Sequence, residues 1–149
     1  MRSNPEPGVV VILREFQLSA DFLQVINLWQ NAGPGIHLRR SDREEEIQKK
    51  LERDPDLFLV AEASGRIIGT VMGSFDGRRG MVYHLAVEKS FRKKGIGKSL
   101  MDELEKRLKE KGCLRCYLLV TRDNLEAIQF YENLGWEVMD LLTFGKDLA

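Results

Sequence analysis

The sequence predicts an α+β fold with a mixed, mostly antiparallel central sheet of six to seven strands and helices on both faces. Three apolar runs, residues 57–63, 67–75 and 81–87, are separated by short glycine-bearing turns, which is typical of an antiparallel meander. Residues 97–111 follow as an amphipathic helix with a leucine at every fourth position. Alternation of strands with long helices indicates helices layered on a sheet.

Weaker signals predict the elements on either side of this central part. The β-branched run 9–13 predicts a first strand. Two helices are expected before the meander, one beginning near Ser19 and the other at the capping box formed by Ser41 and Glu44. The elements predicted after the long helix are a strand at 115–121, a helix at 124–133 and final strand material at 136–148.

Length and composition narrow the function classes. The 149 residues suit one domain, which we expect over 9–149, with the polar, proline-bearing residues 1–8 as a flexible lead-in. Lysine and arginine total 23, as do aspartate and glutamate. Without net charge, binding of nucleic acid or of an anionic membrane through the overall field is not expected. No signal-peptide pattern or long apolar run is present, so we expect a cytoplasmic protein.

The cysteines do not predict a metal site. Cys113 and Cys116 have the spacing of a zinc or redox pair, but the only histidines, His37 and His84, are distant in sequence. A zinc site needs three or four ligands. We therefore expect two reduced thiols and no metal.

The segment between the third meander strand and the long helix has the character of an anion site. Five of the ten residues from 89 to 98 are basic, and Gly95 and Gly97 lie just before or at the start of the helix. Glycine permits close approach to the backbone, and amides at a helix N-terminus attract anions. The spacing fits neither a Walker loop nor a dinucleotide fingerprint. From these residues alone, a pyrophosphate cradle and a solvated run of charges both remain open.

Two segments resemble the signatures of the GNAT superfamily of N-acetyltransferases. The first resembles its coenzyme A signature and reads Arg92-x-x-Gly95-x-Gly97. The second reads Asn124-x-x-Ala127-x-x-Phe130-Tyr131-x-x-x-Gly135-Trp136. The stretches 57–62, 69–73 and 76–80 are more particularly similar to bacterial YpeA-type acetyltransferases.

The resemblance implies a GNAT-like acyl-CoA N-acyltransferase fold with acetyl-CoA as co-substrate. It implies that the loop at residues 92–98 holds the pyrophosphate through its backbone amides, and that the strand at 85–87 pairs with the pantetheine arm. It also implies that a backbone amide near Leu85 polarises the acetyl carbonyl. The cofactor-binding residues that it implies are Leu85, Ala86, Val87, Arg92, Lys93, Lys94, Gly95, Ile96, Gly97, Lys98 and Asn124.

The resemblance also suggests catalytic residues. Tyr131 is the candidate general acid for the leaving thiolate. Some relatives carry a glutamate that acts as the catalytic base five residues before the asparagine that corresponds to Asn124. In this sequence that position is Leu119. His84 is the candidate base instead, because an imidazole can take up a proton near neutral pH; strand alternation would place it on the opposite face from Leu85. Weaker candidates are Tyr83, Glu62, Asp76, Glu88 and a chain of water molecules.

The expected function is direct transfer of the acetyl group from acetyl-CoA to a primary amine of a small molecule or a protein. The alternative is a regulatory module that binds acetyl-CoA with little turnover. Loss of the glutamate favours the alternative, whereas retention of Tyr131 argues for the enzyme. The acceptor side is expected near residues 33–40, which include His37, Arg39 and Arg40. The identity of the amine and the presence of a homodimer stay open.

Overall fold

A computed structural model of the chain describes residues 2–6 and 9–149. The chain divides into two compact units, Met1–Leu119 and Val120–Ala149. The first unit contains the whole sheet and three of the helices, and the second contains the last helix and the C-terminal segment.

The first unit is built on one six-stranded sheet whose strands lie in chain order. Its strands are β1 (Arg2–Glu6), β2 (Val9–Glu15), β3 (Phe58–Ala63), β4 (Arg66–Phe75), β5 (Gly80–Val87) and β6 (Cys116–Leu118). Neighbours from β1 to β5 are antiparallel, and β6 runs parallel to β5. The parallel step requires a crossover, which the long helix between β5 and β6 provides.

Four α-helices lie in the described part of the chain. They are α1 (Leu18–Gln30), α2 (Glu44–Arg53), α3 (Ile96–Glu110) and α4 (Leu125–Asn133), with short 3₁₀ turns at Arg40–Asp42 and Lys89–Phe91. The expected capping box of α2 is wrong, because the helix begins after Arg43 with no side-chain cap. The Asp42 side chain instead caps the 3₁₀ turn by accepting the Arg39 amide.

Helices cover both faces of this sheet, as predicted. On one face, Trp29 of α1 stacks on Phe58 and donates a hydrogen bond to Thr70 of β4. On the other face, Leu100 and Leu104 of α3 lie against glycine positions of β4. Because neighbouring strand residues point to opposite faces, β4 has a core on each side and is buried along most of its length.

The strand count agrees with the prediction only in part. Five of the predicted strands are present, whereas the predicted strand material at 136–148 has no strand structure. The sixth strand is β1, which lies in the segment expected to be a flexible lead-in. Residues 1, 7 and 8 of that segment lie outside the described residues. Pro5 lies within β1, and a proline is tolerated there because β1 is the edge strand of this sheet.

Candidate acetyl-transfer site

The edge of β5 that faces β6 loses its strand partner partway along its length. β6 pairs with β5 only at Gly80, Met81 and Val82, and it ends at Leu118. From Tyr83 to the end of β5, no described strand lies beside it on that side. The two parallel strands therefore leave a gap at the C-terminal half of β5.

A β-bulge lies where this gap begins. Thr70 pairs with Ala86 and Met72 with Tyr83, so one residue of β4 faces two residues of β5. His84 adopts the left-handed conformation with φ of +54°, which is uncommon for a residue with a side chain. As a result, the consecutive residues Tyr83 and His84 both lie on the face covered by α1 and α2. Bulges of this kind re-aim side chains and are frequent near active sites.

Beyond the bulge, backbone groups of β5 point toward the gap. The Glu88 amide donates to the Ile68 carbonyl at 2.8 Å, so Glu88 faces β4. Backbone groups of successive strand residues point to alternate edges, which turns those of Leu85 and Val87 toward the gap. An extended ligand arm could pair with these groups as an added strand would. This geometry fits the predicted pantetheine site at Leu85, Ala86 and Val87.

The loop after β5 ends in an exposed helix N-terminus. Gly95 is the N-cap of α3 with φ of +83°, and a Cβ built there would meet no atom within 4 Å. The first turn of α3 carries no acidic residue. Its first amides have no partner within the helix, so they can bind an anion in the open space at Gly95. The residues present therefore fit a pyrophosphate group. The sequence neighbours of Gly95 in this loop are Lys93, Lys94, Ile96, Gly97 and Lys98.

The Arg92 and Lys98 side chains of the predicted binding loop have partners inside the protein. The Arg92 guanidinium donates from Nε to the Val87 carbonyl and from an Nη to the Ala32 carbonyl, both at 2.9 Å. It therefore fixes the loop to the end of β5 and to the chain after α1. Lys98 pairs with Asp102 one turn along α3 at 2.7 Å. This pair is exposed, so it competes only weakly with a bound anion.

His84 contacts a carboxylate that the sequence analysis did not identify. Its Nε2 lies 2.8 Å from Oδ1 of Asp42, which is buried. The imidazole packs edge-on against Trp29 at 4.5 Å between ring centroids. The Trp29 indole donates to the Thr70 hydroxyl, which donates in turn to the His84 carbonyl, each at 2.9 Å. Contacts to both ring and backbone therefore hold His84 in place.

An open pocket of about 320 Å³ lies beside this pair. It is lined by Ser41, Asp42, Glu46, Ile47, Lys50, Met72, Tyr83 and His84. Burial acts to raise the pKa of Asp42, but hydrogen bonds from His84 and the Arg39 amide outweigh it and hold the pKa below the usual value. Asp42 is thus an ionised acceptor at neutral pH. No sequence signal indicates this pair, because its members are 42 positions apart.

The other candidate bases have structural partners. Glu62 pairs with Arg14 at 3.2 Å, and Glu88 accepts two hydrogen bonds from Arg66. Asp76 accepts the amides of the turn that follows it. Tyr83 lines the pocket, and burial raises its pKa, so it stays protonated at neutral pH.

The second unit contains the other two predicted residues. Asn124 is the N-cap of α4, and its side chain accepts the Ala127 amide at 3.2 Å. Tyr131 packs edge-on against Phe130 and Trp136, with ring centroids 5.2 and 6.1 Å away. Burial raises the pKa of Tyr131 to about 12. Its hydroxyl is therefore protonated throughout the physiological range.

Cys113 and Cys116 are free thiols, and burial raises the pKa of Cys116 to about 11. Within residues 2–6 and 9–149, no group of three or more histidine, cysteine, aspartate or glutamate side chains is arranged to hold a metal ion. The helices in these same ranges are too short or too polar to span a membrane.

Comparison with known proteins identifies the family. The model of the Acetyltransferase (GNAT) family matches residues 22–136. Acetyltransferase ECA0875 of Pectobacterium atrosepticum is 46% identical over 86% of this chain and 89% of its own. Acetyltransferase YE1169 of Yersinia enterocolitica is 44% identical over 91% of this chain and 94% of its own. Neither name carries the YpeA designation, so that subgroup stays a prediction.

Solved structures have the same fold. Ard1 from Thermoplasma volcanium superposes with a TM-score of 0.76 at 27% identity, covering 87% of this chain and 84% of its own. The PaiA N-acetyltransferase from Thermoplasma acidophilum, solved in complex with coenzyme A, superposes with a TM-score of 0.78 at 26% identity, covering 88% and 92%. The chain belongs to the GNAT family and is an acetyl-CoA-dependent acetyltransferase.

Proposed function

We propose that this chain transfers the acetyl group of acetyl-CoA directly to a primary amine bound beside β5. The observation that carries the proposal is the opened edge of β5, which runs from the His84 bulge to the cradle at Gly95. It joins a candidate proton acceptor, backbone donors and an anion site along one continuous segment. The similar PaiA enzyme was solved in complex with coenzyme A, which supports coenzyme A as the group bound by this fold.

Different residues would bind different parts of acetyl-CoA. The amides at the start of α3 would hold the pyrophosphate, and Lys93, Lys94 and Lys98 would add positive charge. Leu85, Ala86 and Val87 would pair with the pantetheine arm, and Asn124 would contact the same arm. Acetyl-CoA supplies an activated acetyl group as a thioester. The Leu85 amide would donate a hydrogen bond to the acetyl oxygen, an interaction that strengthens as negative charge develops there.

Protons must move at both ends of the transfer. A primary amine like that of lysine has a pKa of about 10.4, so at neutral pH it must lose a proton before it can attack. His84 would accept that proton, and the neutral amine would then form the new C–N bond as the C–S bond breaks. The second proton that the product nitrogen sheds would replace the one that Tyr131 gives to the sulfur. Tyr131 would donate to the departing sulfur. Its pKa of about 12 lies well above the roughly 8.5 of a thiol, so a strong hydrogen bond to the sulfur costs less than complete proton transfer.

The remaining expectations stay proposals. The family match crosses the boundary between the two units, which supports one functional domain over 9–149. We propose a cytoplasmic location, supported by two thiols that are free rather than joined as in many exported proteins.

A panel of amines tests the proposal. The purified chain is incubated with acetyl-CoA and, separately, with a peptide bearing an N-terminal alanine, Nα-acetyl-lysine amide, free alanine and spermidine. We expect thiol release that depends on one of these amines and matches the acetylated product by mass spectrometry. Initial-rate lines should intersect, and intact mass should show no acetylated protein, because transfer is direct.

A binding measurement separates the enzyme from the regulatory alternative. Acetyl-CoA and CoA should raise the melting temperature, whereas ATP and NAD should not; a ligand at a hundred times its Kd adds about 2.7 kcal/mol. Stabilisation by acetyl-CoA without acetylation of any amine in the panel would favour the regulatory module. Absence of both effects would reject the site itself.

A further inference from the structure

We infer that Asp42 is a positioning residue that fixes the tautomer of His84 so that Nδ1 is its proton-accepting nitrogen; this inference rests on the proposed role of His84 as base. The pair joins two distant parts of the chain, the 3₁₀ turn before α2 and the bulge of β5. Asp42 is only 7% exposed. A buried carboxylate persists in the ionised form when charged or hydrogen-bond donors compensate for its lost hydration.

The contact itself determines which nitrogen carries the proton. An ionised carboxylate can only accept hydrogen bonds. Because Nε2 of His84 lies 2.8 Å from Asp42 Oδ1, the neutral imidazole must place its proton on Nε2. Nδ1 is then left with its lone pair and can accept a proton.

Asp42 is also held by a hydrogen bond that does not involve His84. Its second oxygen, Oδ2, accepts the Arg39 amide at 3.0 Å. The carboxylate therefore cannot rotate without losing a backbone hydrogen bond. His84 is held separately through its carbonyl by Thr70 and through its ring by Trp29. Both members of the pair are thus preorganised, which is what a positioning role requires.

Nδ1 is open to a ligand. Among the described side chains, the only fully buried nitrogen or oxygen atom without a hydrogen-bond partner is Oδ1 of Asp56. Within the same residues, the one hydrogen bond of the His84 ring is made by Nε2, so Nδ1 must be reachable by solvent. His84 lines the 320 Å³ pocket, whose size is at the small end of the range for ligand sites. An amine in this pocket, or one intervening water, would complete the path.

Other charged groups around the pair have their own partners. On α2, Glu46 pairs with Lys49 at 3.0 Å, and Lys50 pairs with Asp54 at 2.9 Å and also donates to the Gly73 carbonyl. On β5, Tyr83 is neutral at physiological pH because burial raises its pKa. Arg39, before the 3₁₀ turn, adds a favourable charge near Asp42. Asp42 is thus the carboxylate that directly contacts the imidazole.

The substitution Asp42→Asn tests the inference with little change of shape. The asparagine oxygen can still accept the Arg39 amide, while its NH₂ group faces the imidazole and must donate to Nε2. The proton then moves to Nδ1, and the accepting nitrogen is lost. Asp42→Glu keeps an ionised acceptor and serves as the conservative variant. Asp21→Asn is the matched control, since Asp21 is a 2% exposed carboxylate that accepts hydrogen bonds from Arg14 and a backbone amide.

Histidine side-chain NMR reads the tautomer without acetyl-CoA or an acceptor. The chain has two histidines, so His37→Gln assigns the His84 signals. We expect protonated Nε2 and unprotonated Nδ1 in the wild type, in Asp42→Glu and in Asp21→Asn, and the opposite tautomer in Asp42→Asn. An unchanged tautomer in Asp42→Asn would overturn the inference.

Turnover supplies the second readout. With acetyl-CoA and the fastest amine of the four-member panel, Asp42→Asn should lower kcat/KM roughly a hundredfold and alter the pH profile of kcat/KM, at unchanged acetyl-CoA affinity. Asp21→Asn should keep the wild-type pH profile. A wild-type profile in Asp42→Asn would overturn the positioning role. If no amine is acetylated by the wild type, the proposed function fails, and the NMR result still decides whether Asp42 sets the tautomer.

Discussion

Leu104 of α3 lies directly over Gly73 of β4. A Cβ built on Gly73 would lie 2.7 Å from Cδ1 of Leu104 and 3.1 Å from Cδ2. Leu104 is fully buried, so its side chain has no open space into which to move. The helix that presents the anion site therefore packs on the sheet at a position where any added Cβ would displace Leu104.

Gly73→Ala should destabilise the protein because α3 or the Leu104 rotamer must shift. Overpacking of this kind costs about 1–3 kcal/mol. Urea unfolding of the variant is compared with that of Gly145→Ala, where a new Cβ meets nothing within 4 Å. Equal stability of the two variants would show that α3 is free to move away from β4.

Gly95→Asp should weaken acetyl-CoA binding by at least tenfold, because it places a negative charge in the open space at the start of α3. Gly112→Asp is a closely matched control at the other end of the same helix, since Gly112 also has a positive φ and open space at its Cβ. Isothermal titration should show near wild-type affinity for Gly112→Asp. Similar affinities for both variants would contradict the location of the cradle.

The sequence predicts the elements that present the site better than it predicts the site itself. The meander, the long helix and the glycine before it follow from local signals, and all are found close to their expected positions. The start of α4 near Asn124 is also predicted from a local signal, and the structure has Asn124 as the N-cap of this helix. Local signals suffice here because periodicity, turn residues and caps depend on neighbours within a few positions.

The remaining features depend on long-range pairing. The bulge that turns His84 and Tyr83 to the same side depends on the register between β4 and β5. In the sequence, nothing distinguishes Asp42 from other polar residues that precede a helix. Its contact with His84 forms only when the chain is folded, because the two residues are 42 positions apart. The predicted strands at 136–148 are absent, since an apolar run becomes a strand only where a sheet edge pairs with it.

Thr70→Val should cost about 1–3 kcal/mol although it preserves side-chain shape. Thr70 is fully buried, and its hydroxyl accepts from Trp29 Nε1 and donates to the His84 carbonyl. Valine leaves the indole donor buried without a partner, which carries the full desolvation penalty. Thr70→Ser keeps the hydroxyl and should lose less stability by thermal unfolding. The reverse order would mean that methyl packing, rather than the hydrogen bonds, makes Thr70 important.

Tyr131→Phe should lower kcat roughly a hundredfold, the lower end of the usual contribution of acid catalysis, with little change in acetyl-CoA affinity. Phenylalanine keeps the ring packing against Phe130 and Trp136. Because burial raises the pKa of Tyr131 to about 12, ionisation of this residue should not reduce wild-type activity below about pH 10. Tyr117→Phe, which keeps the ring beneath Arg79 and Arg115, is the control. Undiminished turnover would remove Tyr131 as the acid.

Asp21→Asn should destabilise the protein at neutral pH and much less in acid. Burial acts to raise the pKa of Asp21, but the hydrogen bonds from Arg14 and the Gln17 amide outweigh it and lower the pKa below the usual value. A lowered folded-state pKa means that the unfolded chain binds the proton first as pH falls. The stabilisation is therefore complete above the unfolded value of about 3.9 and is lost as pH falls further.

Urea unfolding at pH 7, 5 and 3 measures this dependence. We expect the variant to be less stable than the wild type by about 1–3 kcal/mol at pH 7 and 5, and by less at pH 3. Asp102→Asn, which removes the exposed partner of Lys98, should change stability by no more than about 0.5 kcal/mol throughout. A gap for Asp21→Asn that is the same at all three pH values would show that its effect comes from packing rather than from the charge that binds Arg14.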